Sequence, residues 1–236
     1  MSIIRHIPNG ITSLNLFSGC VAIVAAFNGQ FQVAAGFIVL AAIFDFFDGL
    51  AARALKAYSD IGKELDSLAD MVSFGVAPSV IFFKLIQVGF GFETGFVATY
   101  LPYAAFIIAV FSALRLAKFN IDTRQTTSFI GLPTPANALF LLSFGLYFES
   151  NLPYKEMVTN PWVLIVVAAI FSWMLVAEIP MFAMKIKSIK LKGNEVRYIF
   201  LALSVVLIVL LQQMALLGII PLYILVSILT QKKQTA

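Results

Sequence analysis

The chain has 236 residues, of which 61% are hydrophobic and only 12% charged; its formal net charge is +4 and its mean hydropathy +0.95. A water-soluble domain is nearer half apolar and about a quarter charged, so a freely soluble enzyme is excluded, and so is a disordered chain, which needs few apolar residues and much net charge. The apolar runs are continuous and lack the alternation of an outer-membrane barrel strand.

The runs predict an all-α, polytopic integral membrane bundle of about eight transmembrane helices, each near the roughly 20 residues that span a bilayer. In chain order they lie at 11–28, 31–53, 64–88, 96–118, 134–149, 161–184, 196–212 and 214–231. Met1 to Gly10, with Arg5, His6 and Pro8, reads as a short interfacial segment before the first helix. A signal peptide is disfavoured, because the first apolar run is long and more of the same follows. Cys20, the single cysteine, cannot form an internal disulfide and reads as a small packing residue. Glu178 and Pro180 fall inside the sixth span, as a kinked and paired site. Tyr198 to Gln231 carries no charge, and two short spans joined near Gln212 and Gln213 bring Lys232 and Lys233 back to the starting side. No linker or repeat divides the chain, so one domain over 1–236 is expected.

That topology sorts the charges. All of the 16 Lys and Arg residues except Lys84 and Lys155 fall on one side. The positive-inside bias makes that side the cytoplasm and places both termini there. It also accounts for the basic balance without nucleic acid as a partner.

Charges inside spans are costly and usually functional. Asp45 and Asp48 are i and i+3 on the second helix, and Asp66 and Asp70 are i and i+4 on the third, so each pair lies on one helix face. Both pairs sit near the cytoplasmic ends of neighbouring antiparallel helices and can meet at similar depth. Four carboxylates converging in a low dielectric cannot all stay ionised without cations. Hard divalent cations take oxygen ligands, and Mg²⁺ commonly joins carboxylates to substrate phosphates, so the cluster points to phosphate chemistry. Pairing with Arg53, Lys56 and Lys63 is the structural alternative, which accounts for one or two acids more readily than for four. Gly49 and Ala52 present a smooth face suited either to a bulky ligand or to close helix packing. Arg53 stands at the membrane boundary, where a guanidinium either holds a phosphate or anchors orientation.

The string Asp45-x₂-Asp48-Gly49-x₂-Ala52-Arg53-x₈-Gly62-x₃-Asp66-x₃-Asp70 matches without a gap the signature of the CDP-alcohol phosphotransferase family, which the chain resembles. The resemblance implies displacement at the β-phosphorus of a CDP-linked substrate, with an alcohol attacking and CMP leaving. It implies two divalent cations, Mg²⁺ or Mn²⁺, held by Asp45, Asp48 and Asp66, with Asp70 contributing to the metal site and acting as general base. Gly49 and Ala52 are then expected to make room for the cytidine nucleotide. Arg53 and Gly62 are expected beside the nucleotide and diphosphate, with Asn15 and Ser59 in the same CDP-lipid-binding set. It further implies a six-helix core over about 10–185, with extra C-terminal helices over about 194–231.

Four segments resemble the integral-membrane bacterial and archaeal members of that family that accept serine. They are Leu14 to Gly19, Asp66 to Pro78, Ser112 to Asn120 and Gly131 to Ala138. Lys118 stands where arginine is frequent, a departure that keeps the charge but loses the bidentate fork. The resemblance implies transfer of the phosphatidyl group from CDP-diacylglycerol to L-serine in the cell membrane, with the active site facing the cytoplasm and a homodimer as the assembly. Serine is a small zwitterion. Its carboxylate needs a cation or a row of N–H donors, for which Arg115 and the helix N-terminus after Pro133 are candidates, with Thr134 as a cap. Asn120 can hold the ammonium group through its carbonyl. Arg115 also reads as an orientation anchor. Glycerol 3-phosphate and inositol phosphate are alternative acceptors of the same reaction. A divalent-cation transporter would explain the aspartates, but not the spacing of Gly49, Ala52, Arg53 and Gly62.

Overall fold

The protein is a helical membrane protein. Its structure, a computed structural model, describes residues 6–91, 93–122, 129–150, 152–182 and 194–231. Among these residues eight longer helices follow one another: α1 (Ile7–Phe27), α2 (Phe31–Ala54), α3 (Asp60–Gly89), α4 (Phe96–Ile121), α5 (Thr134–Glu149), α6 (Pro161–Val176), α7 (Glu195–Leu211) and α8 (Ala215–Gln231). By length and composition α1 to α4 can each cross a membrane. The other four have 16 or 17 residues. At the usual rise they reach roughly 24–26 Å, short of the ~30 Å hydrocarbon layer.

Local chemistry sets the helix starts. Pro8 lies in the first turn of α1, where its missing N–H goes unneeded. The helix therefore begins at Ile7, so Ile7 to Gly10 of the segment expected to lie at the interface already belong to it. The N-terminus of α2 is capped from a distance: the Glu149 carboxylate at the end of α5 accepts from the N–H groups of Phe31 (2.7 Å) and Gln32 (3.0 Å), satisfying two free donors next to the positive end of the helix dipole. Ser59 caps α3 by accepting from Gly62 N–H at 3.1 Å. Asn160 caps α6 by accepting from Trp162 N–H at 3.0 Å.

Two features depart from the sequence expectation. The sixth span stops at Val176 instead of continuing to 184, because the residue before a proline avoids the helical region and Pro180 forces an extended path. Pro180–Met181 pairs antiparallel with Phe129–Ile130, Phe129 opposite Met181 and Ile130 opposite Pro180. Glu178 therefore lies in this extended stretch and is exposed, not buried in a kinked span. Inside α3, Met71–Val76 winds as a π-helix. Pro78 has no N–H to give the Phe74 carbonyl and its ring crowds that carbonyl, a strain that a wider turn relieves.

The core is built from small and aromatic side chains. Ala22 and Ala26 of α1 and Ala34 and Ala41 of α2 are buried, as are Phe74, Phe82, Leu85 and Ile86 of α3. The outside is apolar: Phe17, Phe46, Val209 and Leu210 are among many large exposed side chains, as a lipid-facing surface requires. Cys20 is exposed on this surface and does not pack in the core as expected. The uncharged stretch after Tyr198 does break into two helices at Gln212, which takes a positive φ. Arg5, Arg124, Lys185, Lys187, Lys190, Lys192, Lys232 and Lys233, on which the orientation argument leans, lie outside the described residues.

Candidate active site

The C-terminal end of α2 and the first half of α3 bring acids together. Asp45, Asp48 and Asp66 each offer a carboxylate oxygen, and these atoms all lie within 4.8 Å of one another. Asp48 is buried, and Asp45 and Asp66 are half-buried. Among the described residues Asp48 Oδ2 and Asp66 Oδ1 are buried without a hydrogen-bond partner. A buried acceptor left unpaired is costly, and a hard divalent cation, which takes carboxylate oxygens, satisfies such a donor set. The cluster therefore fits divalent-metal binding.

Asp70 is buried one turn further along α3, outside that three-way contact. Its Oδ1 accepts from Asn15 Nδ2 of α1 at 3.2 Å. The π-helical segment directly after Asp70 fixes this register. Ser73 Oγ donates to the Asn15 backbone carbonyl at 3.0 Å. A Cβ added at Gly19 would lie 2.8 Å from Ser73 Cα, so only glycine lets α1 and α3 cross this closely. Asn15 thus contacts Asp70 and is not among the residues lining the cavity formed by Gly49, Ala52, Arg53, Ser59 and Gly62.

Two cavities share the acidic wall. The smaller, about 220 Å³, is lined by Gly49, Ala52, Arg53, Ser59 and Gly62 together with Asp48 and Asp66. Pro8, Asn9 and Thr12 of α1 complete it; sequence reasoning missed them, although 8, 9 and 12 share one helical face. Gly62 has a structural reason of its own, since a Cβ there would sit 2.9 Å from both Asn9 Oδ1 and Ser59 Oγ. The larger cavity, about 500 Å³, lies on the other side of the cluster. Asp45, Asp70, Arg115, Asn120, Pro133 and Thr134 line it, and Asp48, Gly49, Arg53, Lys63 and Asp66 face both cavities.

On the larger side Arg115 of α4 is buried. Its Nη1 approaches Thr134 Oγ1 at 3.5 Å, its Nε has no hydrogen-bond partner among the described residues, and its guanidinium lies 5.5 Å from the Phe119 ring centre. Thr134 is buried as the first residue of α5 and does not cap it; Pro133 holds the cap position and no side chain bonds there. Asn120 is engaged in tying α4 to α3. Its Nδ2 donates to Ser67 Oγ at 2.9 Å, and its backbone carbonyl accepts from Lys63 Nζ at 2.9 Å. Gly131 delivers Pro133 and Thr134 to the site. It has φ +79, its N–H donates to the Ile179 carbonyl at 2.8 Å, and a Cβ there would collide with the Leu175 carbonyl oxygen.

An acidic cluster between two cavities at one end of a membrane bundle is the arrangement expected of an enzyme that moves phosphate-linked groups between a lipid and a polar acceptor. Residues 5–210 match the CDP-alcohol phosphatidyltransferase family, and the chain belongs to that family. It is 40% identical over 147 residues to the CDP-diacylglycerol–serine O-phosphatidyltransferase of Bacillus subtilis (strain 168), a match covering 59% of this chain and 76% of that protein. To the Helicobacter pylori (strain J99) protein of the same name it is 41% identical over 137 residues, 57% of this chain and 55% of that one. The Methanocaldococcus jannaschii protein of that name is 38% identical over 146 residues, 62% and 63%. The chain thus spans little more than half of the Helicobacter relative's length.

Proposed function

We propose that the protein transfers the phosphatidyl group of CDP-diacylglycerol to L-serine, giving phosphatidylserine and CMP. The observation that carries this reading is the wall of Asp48, Gly49, Arg53 and Asp66 shared by two cavities, one for each substrate. The names of three relatives from two bacteria and an archaeon support serine as the acceptor.

The smaller cavity takes the cytidine nucleotide. Gly49 and Ala52 leave room along α2, and Arg53 lies beside the diphosphate, where a guanidinium holds phosphate oxygens well. The donor's acyl chains stay in the bilayer. Asp45, Asp48 and Asp66, with a contribution from Asp70, would hold two divalent cations, Mg²⁺ or Mn²⁺, which would supply positive charge to offset that of the diphosphate and of the departing CMP. Asp70, oriented by Asn15, accepts the serine hydroxyl proton. The serine oxygen forms its bond to the β-phosphorus as the bridging P–O bond breaks and its electron pair leaves with CMP. Arg115 holds the serine carboxylate, beside Thr134 and the N-terminus of α5. Binding both substrates across one wall supplies the in-line approach such a transfer needs.

The same reading makes the whole chain one membrane domain of the cell membrane. Its α5 to α8 also span, their 16 or 17 residues accommodated by local thinning of the bilayer; both termini and the site face the cytoplasm, and the protein works as a homodimer. The charge asymmetry of the connecting segments supports the orientation.

The direct test is detergent-purified protein with CDP-diacylglycerol, Mg²⁺ or Mn²⁺ and labelled serine. Label is expected in phosphatidylserine with one CMP per turnover. Asp66→Asn is expected to lower turnover about a thousandfold, the scale of losing a directly stabilising group. CMP release driven by glycerol 3-phosphate or inositol phosphate and not by serine would reassign the acceptor.

A further inference from the structure

Arg115 borders a second cavity. Besides facing the one that holds Asp70, it lines a separate space of about 310 Å³ between the C-terminal ends of α4 and α6. The charged residues of this space carry both signs: Arg115 and Lys118 on one hand, Asp122 and Glu178 on the other. Arg115, Lys118 and Asp122 lie at i, i+3 and i+7 of α4 and its end, on one face. Glu178 comes from the extended stretch after α6. The pairing of Pro180–Met181 with Phe129–Ile130, and the 2.8 Å bond from Gly131 N–H to the Ile179 carbonyl, fix that stretch. Ile130 and Leu175 supply apolar wall.

Arg115 and Phe119 line both spaces, and Arg115 brings the charge to their boundary. It is 7% exposed, with Nε unpartnered among the described residues. A guanidinium buried this far favours an anionic partner. A ligand reaching it from the second cavity must also pass two carboxylates. Neither a doubly charged phosphate monoester nor a simple amino alcohol complements both signs of this lining. A zwitterion meets complementary charge at both ends.

We infer that this second cavity receives the ammonium group of the acceptor, and that Glu178 is its partner. An α-amino acid sits across Arg115, its carboxylate on the guanidinium, its ammonium toward Glu178 and its hydroxyl in the catalytic cavity toward Asp70. The three arms of one carbon then meet three different chemical surroundings. The inference rests on serine being the acceptor and deepens that reading. It gives Glu178 the role that sequence reasoning gave Asn120, whose Nδ2 donates to Ser67 Oγ. It also supplies a reason for preferring a zwitterion to phosphorylated alcohols, which complement only one sign of the lining.

The test compares serine with 3-hydroxypropionate, which is serine without its amino group, using the full chain in detergent with CDP-diacylglycerol. Serine is followed by its KM, and 3-hydroxypropionate by its inhibition constant against serine. Glu178→Gln is expected to raise the serine KM at least tenfold. The CDP-diacylglycerol KM and the inhibition constant of 3-hydroxypropionate should stay within twofold of the unsubstituted protein. Glu178→Asp, which keeps the charge, should recover most of the serine affinity. An unchanged serine KM in Glu178→Gln, or equal shifts for serine and its des-amino analogue, would overturn the inference while leaving serine as the acceptor. If the unsubstituted protein released no CMP with serine, the acceptor reading itself would fail, before any variant is compared.

Discussion

The two cavities that meet at the acidic wall are made in different ways. The smaller is local: it is lined entirely from residues 8–66, by the first turns of α1, the end of α2 and the start of α3. Helical spacing places most of its side chains, and the connection Ala57–Ser59 supplies the rest. The larger cavity also draws on Arg115 and Asn120 of α4 and on Pro133 and Thr134 at the head of α5. Asn120 ties α4 to α3 through Ser67 and Lys63, and a two-residue ladder with the backbone of Gly131 sets the head of α5. Donor binding therefore depends on what a few neighbouring helices present, and acceptor binding on how separate segments cross.

That contrast is sharpest where a single substitution should damage one side only. At Gly49 an added Cβ meets just Arg53 Nη1, at 3.8 Å, so the fold tolerates a side chain there while the cavity does not. Gly49→Leu is expected to weaken CDP-lipid binding by about 10- to 100-fold, a steric cost of roughly 1–3 kcal/mol, with melting temperature nearly unchanged. Normal donor affinity in this variant would break the assignment of the smaller cavity.

Arg115→Ala is the converse experiment. It should raise the serine KM by about thirtyfold, the scale of removing a buried charge partner, roughly 2 kcal/mol, and spare the donor KM. A serine KM that did not move would remove Arg115 from the acceptor side.

The smallest effect is expected at the hinge between the two sides. Asn15→Leu preserves bulk but takes away the 3.2 Å bond to Asp70. Turnover should fall about tenfold, as when an orienting contact to a reactive group is lost, with both KM values little changed. A shift in donor KM instead would return Asn15 to the nucleotide side, where sequence reasoning had put it.

The same difference explains what was legible beforehand. The two aspartate pairs, Gly49, Ala52, Arg53 and Gly62 lie within 26 residues at helical spacings, so periodicity and the family signature found them together. Pro8, Asn9 and Thr12 carried the same kind of signal, but Pro8 and Asn9 stand in a segment read as lying before the helix and Thr12 at the very start of the first span, and they were passed over. The π-helical turn at Met71–Val76 has no hydrophobic period to announce it; Pro78 was its only sign. Glu178 was placed inside a span because the apolar run continues past Val176. Pro180 marked a break there, but nothing in the sequence indicated that the freed segment would pair with Phe129–Ile130. Helices were visible because each depends on its own residues, whereas the acceptor side depends on a crossing.

The account stands on Asp45, Asp48 and Asp66 acting as one cation site between the cavities. Titrating Mn²⁺ into the detergent-purified protein, followed by electron paramagnetic resonance, tests that most directly. The account predicts saturable Mn²⁺ binding that is lost in Asp45→Asn and in Asp66→Asn and whose spectrum changes when CDP-diacylglycerol is added. Mn²⁺ binding of unchanged affinity in both variants, with no response to the CDP-lipid, would contradict it.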